Sequence, residues 1–583
     1  MQRWSLIIAY IFIIHSVTNS QNSESGHRLP KHEVRAVWIA TVMGLDWPSH
    51  TYDHGEQKRT LKEIIERLKE AKFNTIYFQV RGRADAMYRS AYEPWSQQLT
   101  GILGEDPGWD PLSFVIDEAH AHCMEVHAWF NTFLVKTGGV LSGNSIPRHI
   151  MLTHPEWIHQ VNGEWWFDPG LPEVRAYNIK VALDIVRKYN IDGFQFDYIR
   201  YPGRPLSDDA TYKKYGRGIQ RDEWRRDNVN QFIKAFNDSA RAVKPYLKIG
   251  ATPIGIYKNI SSAKGQQSYS ELFQDSRRWL REKWIDYLVP QVYWTLGSTP
   301  GDPDFSKVIR DWMKNSDDRQ TYIGIGAYKP EVLSEVPRLV DSVRSVGLPG
   351  VAFFRYENIK NVLDLEGRFP NYALIPSMPW KDSIPPNPPL EVKAENIVDG
   401  IFSIRWNSPE RALDGDRAKY YCIYRSSTRP VDVRSPENLI SIILADHNQY
   451  TDTISHVRSI KYYYAVSAID KGNNESKPTF ESIIIPEIAA MAKTISLEFK
   501  LGRYYRNSES STAYFPYTIS EVSPVSLKII DSNNREMITL VNTVRSPGLY
   551  IASANISKLE DGEYTYLLRA GNLTKKKTLT VNH

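Results

Sequence analysis

Between about residues 33 and 370 the sequence repeats one cycle: an apolar stretch of strand length, a polar loop, then a helical pattern. Nothing else in the chain limits its fold so tightly. The expected strands are Val34–Thr41, Thr75–Arg81, Glu125–Asn131, Gly193–Asp197, Lys248–Ile254, Tyr287–Tyr293, Tyr322–Ala327 and Val351–Arg355. Among the helices, Lys58–Lys72 lines up Leu61, Ile64, Ile65, Leu68 and Ala71, and Val174–Tyr189 lines up Ile179, Leu183 and Val186. Eight strands alternating with helices favour a closed parallel barrel over an open sheet, because that count closes around a packed interior. The expected fold class is α/β, a (β/α)8 TIM barrel over residues 32–375, followed by two small all-β sandwich domains.

Strand parity adds a second constraint. One face carries Ile76, Phe78 and Val80, then Val126, Ala128 and Phe130, then Phe194 and Phe196. These suit packing against helices. The other face carries Gln79 and Arg81, then His127, Trp129 and Asn131, then Gln195 and Asp197, then Gln291 and Tyr293. Polar groups are costly in a core unless paired. They form either a satisfied interior network or a cleft at the C-terminal rim, where such barrels carry their chemistry. In the segment "IDGFQFDYIRYP" Asp197 ends the strand before a Pro/Gly-rich loop, and it either caps a turn or stands on that rim as a reactive acid. The rim connections Asn131–Gly170 and Tyr198–Asp222 exceed ordinary loop length, which favours lids or substrate walls. Most of the 16 tryptophans fall in this half, among them Trp38, Trp129, Trp165, Trp166 and Trp294. Several rings on rim loops suit stacking on sugar faces, or equally a protein partner.

A length of 583 residues leaves room for the barrel and smaller modules, and 42% hydrophobic with 24% charged residues is globular. A net charge of +5 is too dilute for a nucleic-acid partner. Residues 1–20 read as a signal peptide, with Arg3, the apolar Leu6–Ile14 and small residues Thr18 and Ser20. The stretch is short for a membrane span, and no later segment has that apolar length. Export to the periplasm or outer surface of a bacterium is the expectation. Cys123 and Cys422 form no disulfide framework and suit buried positions. His120, His122 and His127 lack zinc-ligand spacing, so no metal site is expected, and no Gly-rich phosphate cradle or Gly-x-Ser-x-Gly elbow is present. The chemistry is expected to need no cofactor.

The stretches "VRAVWIATVMGLDWPS", "FQVRGRADAMYRSAYEPWSQQLTG", "GWDPLSFVIDEAHAHCMEVHAWFN", "DGFQFDYIRYP", "EWRRDNVNQFI", "DYLVPQVYW" and "YIGIGAYK" follow the barrel strands in order. With them, residues 32–370 resemble glycosyl-hydrolase-like family ten, bacterial envelope proteins that include a divisome-localised type. The resemblance implies a glycosidase acting on cell-wall glycan, namely peptidoglycan strands stripped of stem peptides. The chain departs from the family pattern twice: Thr132-Phe133-Leu134 stand where Pro-Tyr-Arg is usual, and Tyr198 replaces a second acid. Glycoside hydrolysis commonly uses two carboxyl groups. Asp197 is the expected nucleophile or base. Glu223, which opens a helix, is the first candidate donor; Glu357 and Asp85 are its rivals. Glu223 also suits the helix dipole alone, and Asp85 also suits pairing with Arg81 or Arg83. Gln79, Arg81, Asp85, Trp129, Asn131, Arg200, Gln291, Tyr293 and Trp294 are the expected substrate-binding set, with Arg81 or Arg200 placed to meet a muramic lactyl group.

Behind the barrel, Pro-rich residues 376–389 read as a semi-rigid linker. The stretch 385–486 resembles a fibronectin type III domain through Trp406 in "FSIRWNSP", "KYYCIYRSS" and "KYYYAVSAIDKGNNES", with the domain set at 390–486. Residues 490–583 read as an Ig-like β sandwich that looks like a sorting domain, with a hairpin turning at Gly571-Asn572. These modules suit envelope protein partners. Three other functions stay open at this point: a glycan-binding protein without turnover, a hydrolase of another polysaccharide, and a scaffold with a vestigial barrel.

Overall fold

The computed structural model describes residues 29–49, 51–139, 145–261, 263–297, 301–398, 400–454, 462–482, 498–506, 512–545 and 548–582. The expected signal peptide lies outside them. The chain forms two compact units. The first comprises Met1–Lys393, Arg405–Tyr450 and Tyr463–Glu481; the second comprises Ala394–Ile404, Thr451–Tyr462 and Ser482–His583.

The first unit is built on a parallel sheet. Its strands are Val34–Ile39, Thr75–Arg81, Glu125–Asn131, Gly193–Asp197, Lys248–Ala251, Tyr287–Leu288, the split pair Gln320–Thr321 and Ile323–Ile325, and Gly350–Phe353. Gln320–Thr321 pairs with the sixth strand and Ile323–Ile325 with the eighth. The two ends of the sheet are therefore consecutive pieces of one strand, and the barrel closes on itself. The fifth and sixth strands stop short of the expected Ile254 and Tyr293. Pro253 and Pro290 lack the amide hydrogen a ladder needs. Pairing resumes beyond them as single bridges, Ile254 to Gln291 and Gln291 to Gly324.

The two strand faces bury two separate cores. Val37, Ile76, Phe78, Val126, Phe130, Phe194 and Phe196 pack outward in the large core shared with the helices. Ala36, Trp38, Tyr77, Trp129, Tyr287, Tyr322 and Ala352 fill the barrel. The helix His54–Glu70 shows why the layers fit: Asp53 caps it by accepting from the Glu56 amide, and Leu61, Ile64, Ile65 and Leu68 are buried. Burying each such side chain is worth about 1.5–3 kcal/mol. Pro172 begins the helix Pro172–Lys188, two residues before the expected start, as suits a proline at the first helical position.

Inside the barrel, large rings are admitted by glycines on the neighbouring strand. A β-carbon at Gly193 would lie 2.3 Å from the His127 ring, and one at Gly250 would lie 2.1 Å from the Tyr287 ring. His127 Nδ1 meets the Tyr287 hydroxyl at 2.6 Å, so the clash cannot be relieved by turning one ring away. Gly193→Ala is expected to destabilise the fold by about 1–3 kcal/mol, measured as a lower denaturant midpoint at unchanged slope. An unchanged midpoint would show that the interior tolerates the methyl.

The long connection Asn131–Gly170 is more than a loop. It holds a three-stranded antiparallel sheet of Leu134–Thr137, Glu164–Phe167 and Ile158–Val161. Asn162 and Gly163, both at positive φ, turn the tighter hairpin. Tyr198–Asp222 likewise holds the helix Asp209–Tyr215.

The β part of the first unit is an antiparallel sheet ordered Leu439–Leu444, Tyr420–Ser426, Tyr463–Ile469 and Thr479–Ser482. It abuts the N-terminal ends of the barrel strands. Lys419 Nζ meets Asp192 at 2.8 Å, and Asn473 donates to Glu125 Oε1 at 3.0 Å. Lys31 pairs with Glu475 at 2.5 Å. In the second unit, Phe515, Leu527, Ile529, Tyr566, Leu568 and Leu579 form one core. Gly562–Ala570 and Leu573–Val581 pair as a hairpin, with Ala570 opposite Leu573, so the turn falls at Gly571-Asn572 as expected.

Candidate active site

Asp197 ends the fourth strand at the C-terminal rim, 8% exposed. Three N–H groups converge on it. The Trp129 indole donates to Oδ2 at 3.2 Å, the Tyr198 amide to Oδ1 at 2.7 Å, and the Gln291 carboxamide to Oδ1 at 3.5 Å. Burial pushes the Asp197 carboxyl up to about 6, opposed by the Tyr198 amide, the Arg200 charge and the Trp129 indole. Tyr198 takes φ 48°, a conformation uncommon for a bulky residue. That turn ends the strand abruptly and lets the Tyr198 amide meet the preceding carboxylate.

Aromatic rings border the acid. Phe354, just past the eighth strand, lies 5.7 Å from Tyr293 in a stacked pair, 6.1 Å from Trp129 and 6.0 Å from Trp38 and Tyr328. Tyr293 has room because the seventh strand is glycine-rich: a β-carbon at Gly326 would lie 2.7 Å from its Cβ. Tyr328 is 47% exposed, so this wall opens to solvent. Below, Trp38 donates to Gln195 Oε1 at 2.8 Å, and Asn131 donates to the Gly82 carbonyl at 3.0 Å. Gln195 Nε2 and Asn131 Oδ1 are buried without a hydrogen-bond partner in the protein.

Of the residues expected at the site, Trp129, Asp197, Gln291 and Tyr293 come together, and Arg200 adds its charge. Arg200 lies over the rings of Trp166 and Tyr198, at 5.1 and 5.3 Å. Gln79 is present but engaged: its Oε1 accepts from the amides of Thr41 and Val42 at 3.0 and 2.9 Å, fixing the loop after the first strand. Asp85 accepts from the Arg83 amide at 2.7 Å, and the two line a rim cavity of about 200 Å³ with Lys136 and His149.

Several placements differ from expectation. Arg81 does not reach the cleft. A β-bulge sets both Val80 and Arg81 against Phe130, which turns Arg81 to the outer face. There it is fully buried on Glu93 at 2.6 Å and over the Phe130 ring at 4.5 Å. Trp294 packs with the outer core near Gly255, where a β-carbon would lie 2.8 Å from its ring. Glu223 is about half exposed and pairs with Arg226 one turn along its own helix; Glu357 does the same with Lys360. Neither makes a hydrogen bond or ion pair with Asp197. His120 bonds to Asp192, and His127 bonds to Glu125.

Sequence reasoning passed over two residues. Phe354 shares the inward parity of Gly350 and Ala352, a signal that was available. Glu164 holds the Trp166 indole at 3.0 Å and acts electrostatically on both Tyr198 and Arg200. The Asn162-Gly163 turn was its only mark in the sequence.

Barrels of this build carry their chemistry at the rim where Asp197 sits, and the known proteins that resemble this chain agree on what that chemistry is: it is a glycoside hydrolase. More narrowly, the chain belongs to the glycosyl hydrolase-like 10 family, whose model matches residues 33–336. The glycosyl hydrolase YngK of Bacillus subtilis is 33% identical across 81% of this chain and 96% of its own. The glycosyl hydrolase DigH of Escherichia coli K12 is 35% identical across 51% and 73%. Among solved structures, the glycoside hydrolase domain of PgaB (BpsB) from Bordetella bronchiseptica aligns over 58% of this chain and 98% of its own, at 13% identity and a TM-score of 0.40.

Proposed function

We propose that this enzyme is exported and cleaves the glycan strands of peptidoglycan from which stem peptides have been removed. The observation that carries the reading is Asp197, a buried carboxyl held by Trp129 and Gln291 beside an open wall of aromatic rings. Asp197 acts ionised, as nucleophile or base. A second carboxyl supplies the proton to the leaving oxygen; Glu164, which acts electrostatically on Tyr198 and Arg200 next to Asp197, is our first candidate, with Asp85, Glu223 and Glu357 as its rivals. The β modules face envelope partners.

The test is product release from amidase-stripped peptidoglycan, intact sacculi and a muramic-free β-linked glycan. Stripped strands should give soluble fragments, and intact sacculi few. Hydrolysis of the muramic-free glycan alone would move the substrate to another polysaccharide; tight binding without turnover would make the protein a glycan-binding one. We assign Arg200 to the lactyl carboxylate, since a guanidinium recognises carboxylates bidentately. Arg200→Met is expected to raise KM on stripped strands at least tenfold, and to leave KM on muramic-free oligosaccharides unchanged. Equal effects on both would remove that role.

A further inference from the structure

Asp382, from the segment after the barrel, meets Asp414 and Asp416, from the turn between the strands Ile401–Asn407 and Tyr420–Ser426. One oxygen from each lies within 4.8 Å of the other two. Acidic clusters on turns are common, and most are simply solvated. This one differs in two respects.

The first is burial. Asp382 is 9% exposed. Its Oδ1 accepts from the Ile384 amide at 3.0 Å, while its Oδ2 is buried without a hydrogen-bond partner. Asp416 Oδ2 is buried and meets no donor in hydrogen-bond geometry, and the Tyr246 hydroxyl is a neutral polar group beside the three acids. A carboxylate oxygen removed from water with nothing to accept from is costly. The second respect is counter-charge. Among the described residues, no lysine, arginine or histidine pairs with any of the three. The adjacent Lys381 is engaged with Asp286 at 2.9 Å, and Arg411 donates to the Gly415 carbonyl at 2.8 Å. The backbone also keeps the space open. A β-carbon at Gly472 would come 2.9 Å from Asp382 Oδ2.

We propose that Asp382, Asp414 and Asp416 form a binding site for a divalent cation, calcium in preference to magnesium. Calcium takes oxygen ligands at about 2.3–2.6 Å, so two ligands of one ion lie up to about 5 Å apart, which matches the spacing here. The donor set is all oxygen, and a loop supplies two of its members. That suits calcium's flexible coordination over the strict octahedron of magnesium. The bound ion ties the segment after the barrel to the β sheet's loop, and its role is structural.

The experiment uses the full chain stripped with a chelator and titrated calorimetrically with calcium chloride, and separately with magnesium chloride. One calcium ion is expected to bind with Kd of about 10⁻⁵–10⁻³ M, at least tenfold tighter than magnesium. Saturating calcium should raise the melting midpoint by about 2–5 °C. Asp414→Asn, at an exposed position that should not disturb folding, is expected to weaken calcium binding at least tenfold and to abolish the thermal shift; Asp416→Asn should do the same. Absence of saturable calcium binding to the wild-type chain would overturn the proposal, as would magnesium binding as tightly. Unchanged affinity in Asp414→Asn would overturn it too.

Discussion

Asp197→Asn is expected to abolish glycan hydrolysis and at the same time to make the protein harder to unfold. The two effects share a cause. Burial lifts the carboxyl from 3.8 to about 6, so keeping it ionised in the folded state costs about 3 kcal/mol at neutral pH. Asparagine removes that cost. It also turns an NH2 toward one of the three donors now serving the carboxylate, which forfeits about 1 kcal/mol. The net gain is about 1–2 kcal/mol at pH 7. The sign reverses with acidity in a defined window. Below about pH 4 the acid is protonated whether folded or unfolded, and its penalty is gone. As pH rises from there through 6, the wild type loses stability relative to the variant. Denaturant titrations of both proteins at pH 4 and pH 7 read this directly, and a variant less stable than wild type at pH 7 contradicts it. In the wild type, kcat/KM should climb through an apparent pKa near 6, because the working form is the ionised one. A rate that falls through the same pH would make Asp197 the proton donor instead.

Glu93→Ala is expected to cost about 3–5 kcal/mol of stability and to lower kcat without touching substrate. Arg81 and Glu93 are both fully buried, joined by contacts of 2.6, 2.8 and 3.0 Å. Without the carboxylate the guanidinium is stranded. Arg81 also donates to the carbonyls of Asn131 and Thr132, at 2.6 and 3.0 Å, and the Thr132 amide donates to the Asp197 carbonyl at 2.8 Å. Loosening Arg81 therefore loosens the backbone that positions the acid. The double variant Arg81→Met with Glu93→Leu should recover most of the stability, because no charge is left behind. A single variant with unchanged unfolding would show that the pair contributes little.

The barrel was legible because its two periodicities, two on strands and 3.6 on helices, are dictated by burial. The inward order of Trp129, Asp197, Gln291 and Tyr293 followed from parity alone. Straight parity through Val80 points Arg81 inward, and nothing in "YFQVRGR" marks the bulge that turns it out. Glu223 and Glu357 are acids near rim loops in first helical turns, where an acid is favourable without any chemistry. The approach of Asp382 to Asp414 and Asp416 was invisible for a different reason: it depends on where a linker runs over a sheet, and local pattern carries no information about that.

The fourth strand connects two ends with different duties. At one end Gly193 follows Asp192, which is held by Lys419 of the β sheet; at the other stands Asp197. About 15 Å of extended chain separates them. The β sheet thus grips the enzyme by its base, and the mouth points the other way. A partner that binds this sheet would meet the barrel at the end opposite Asp197.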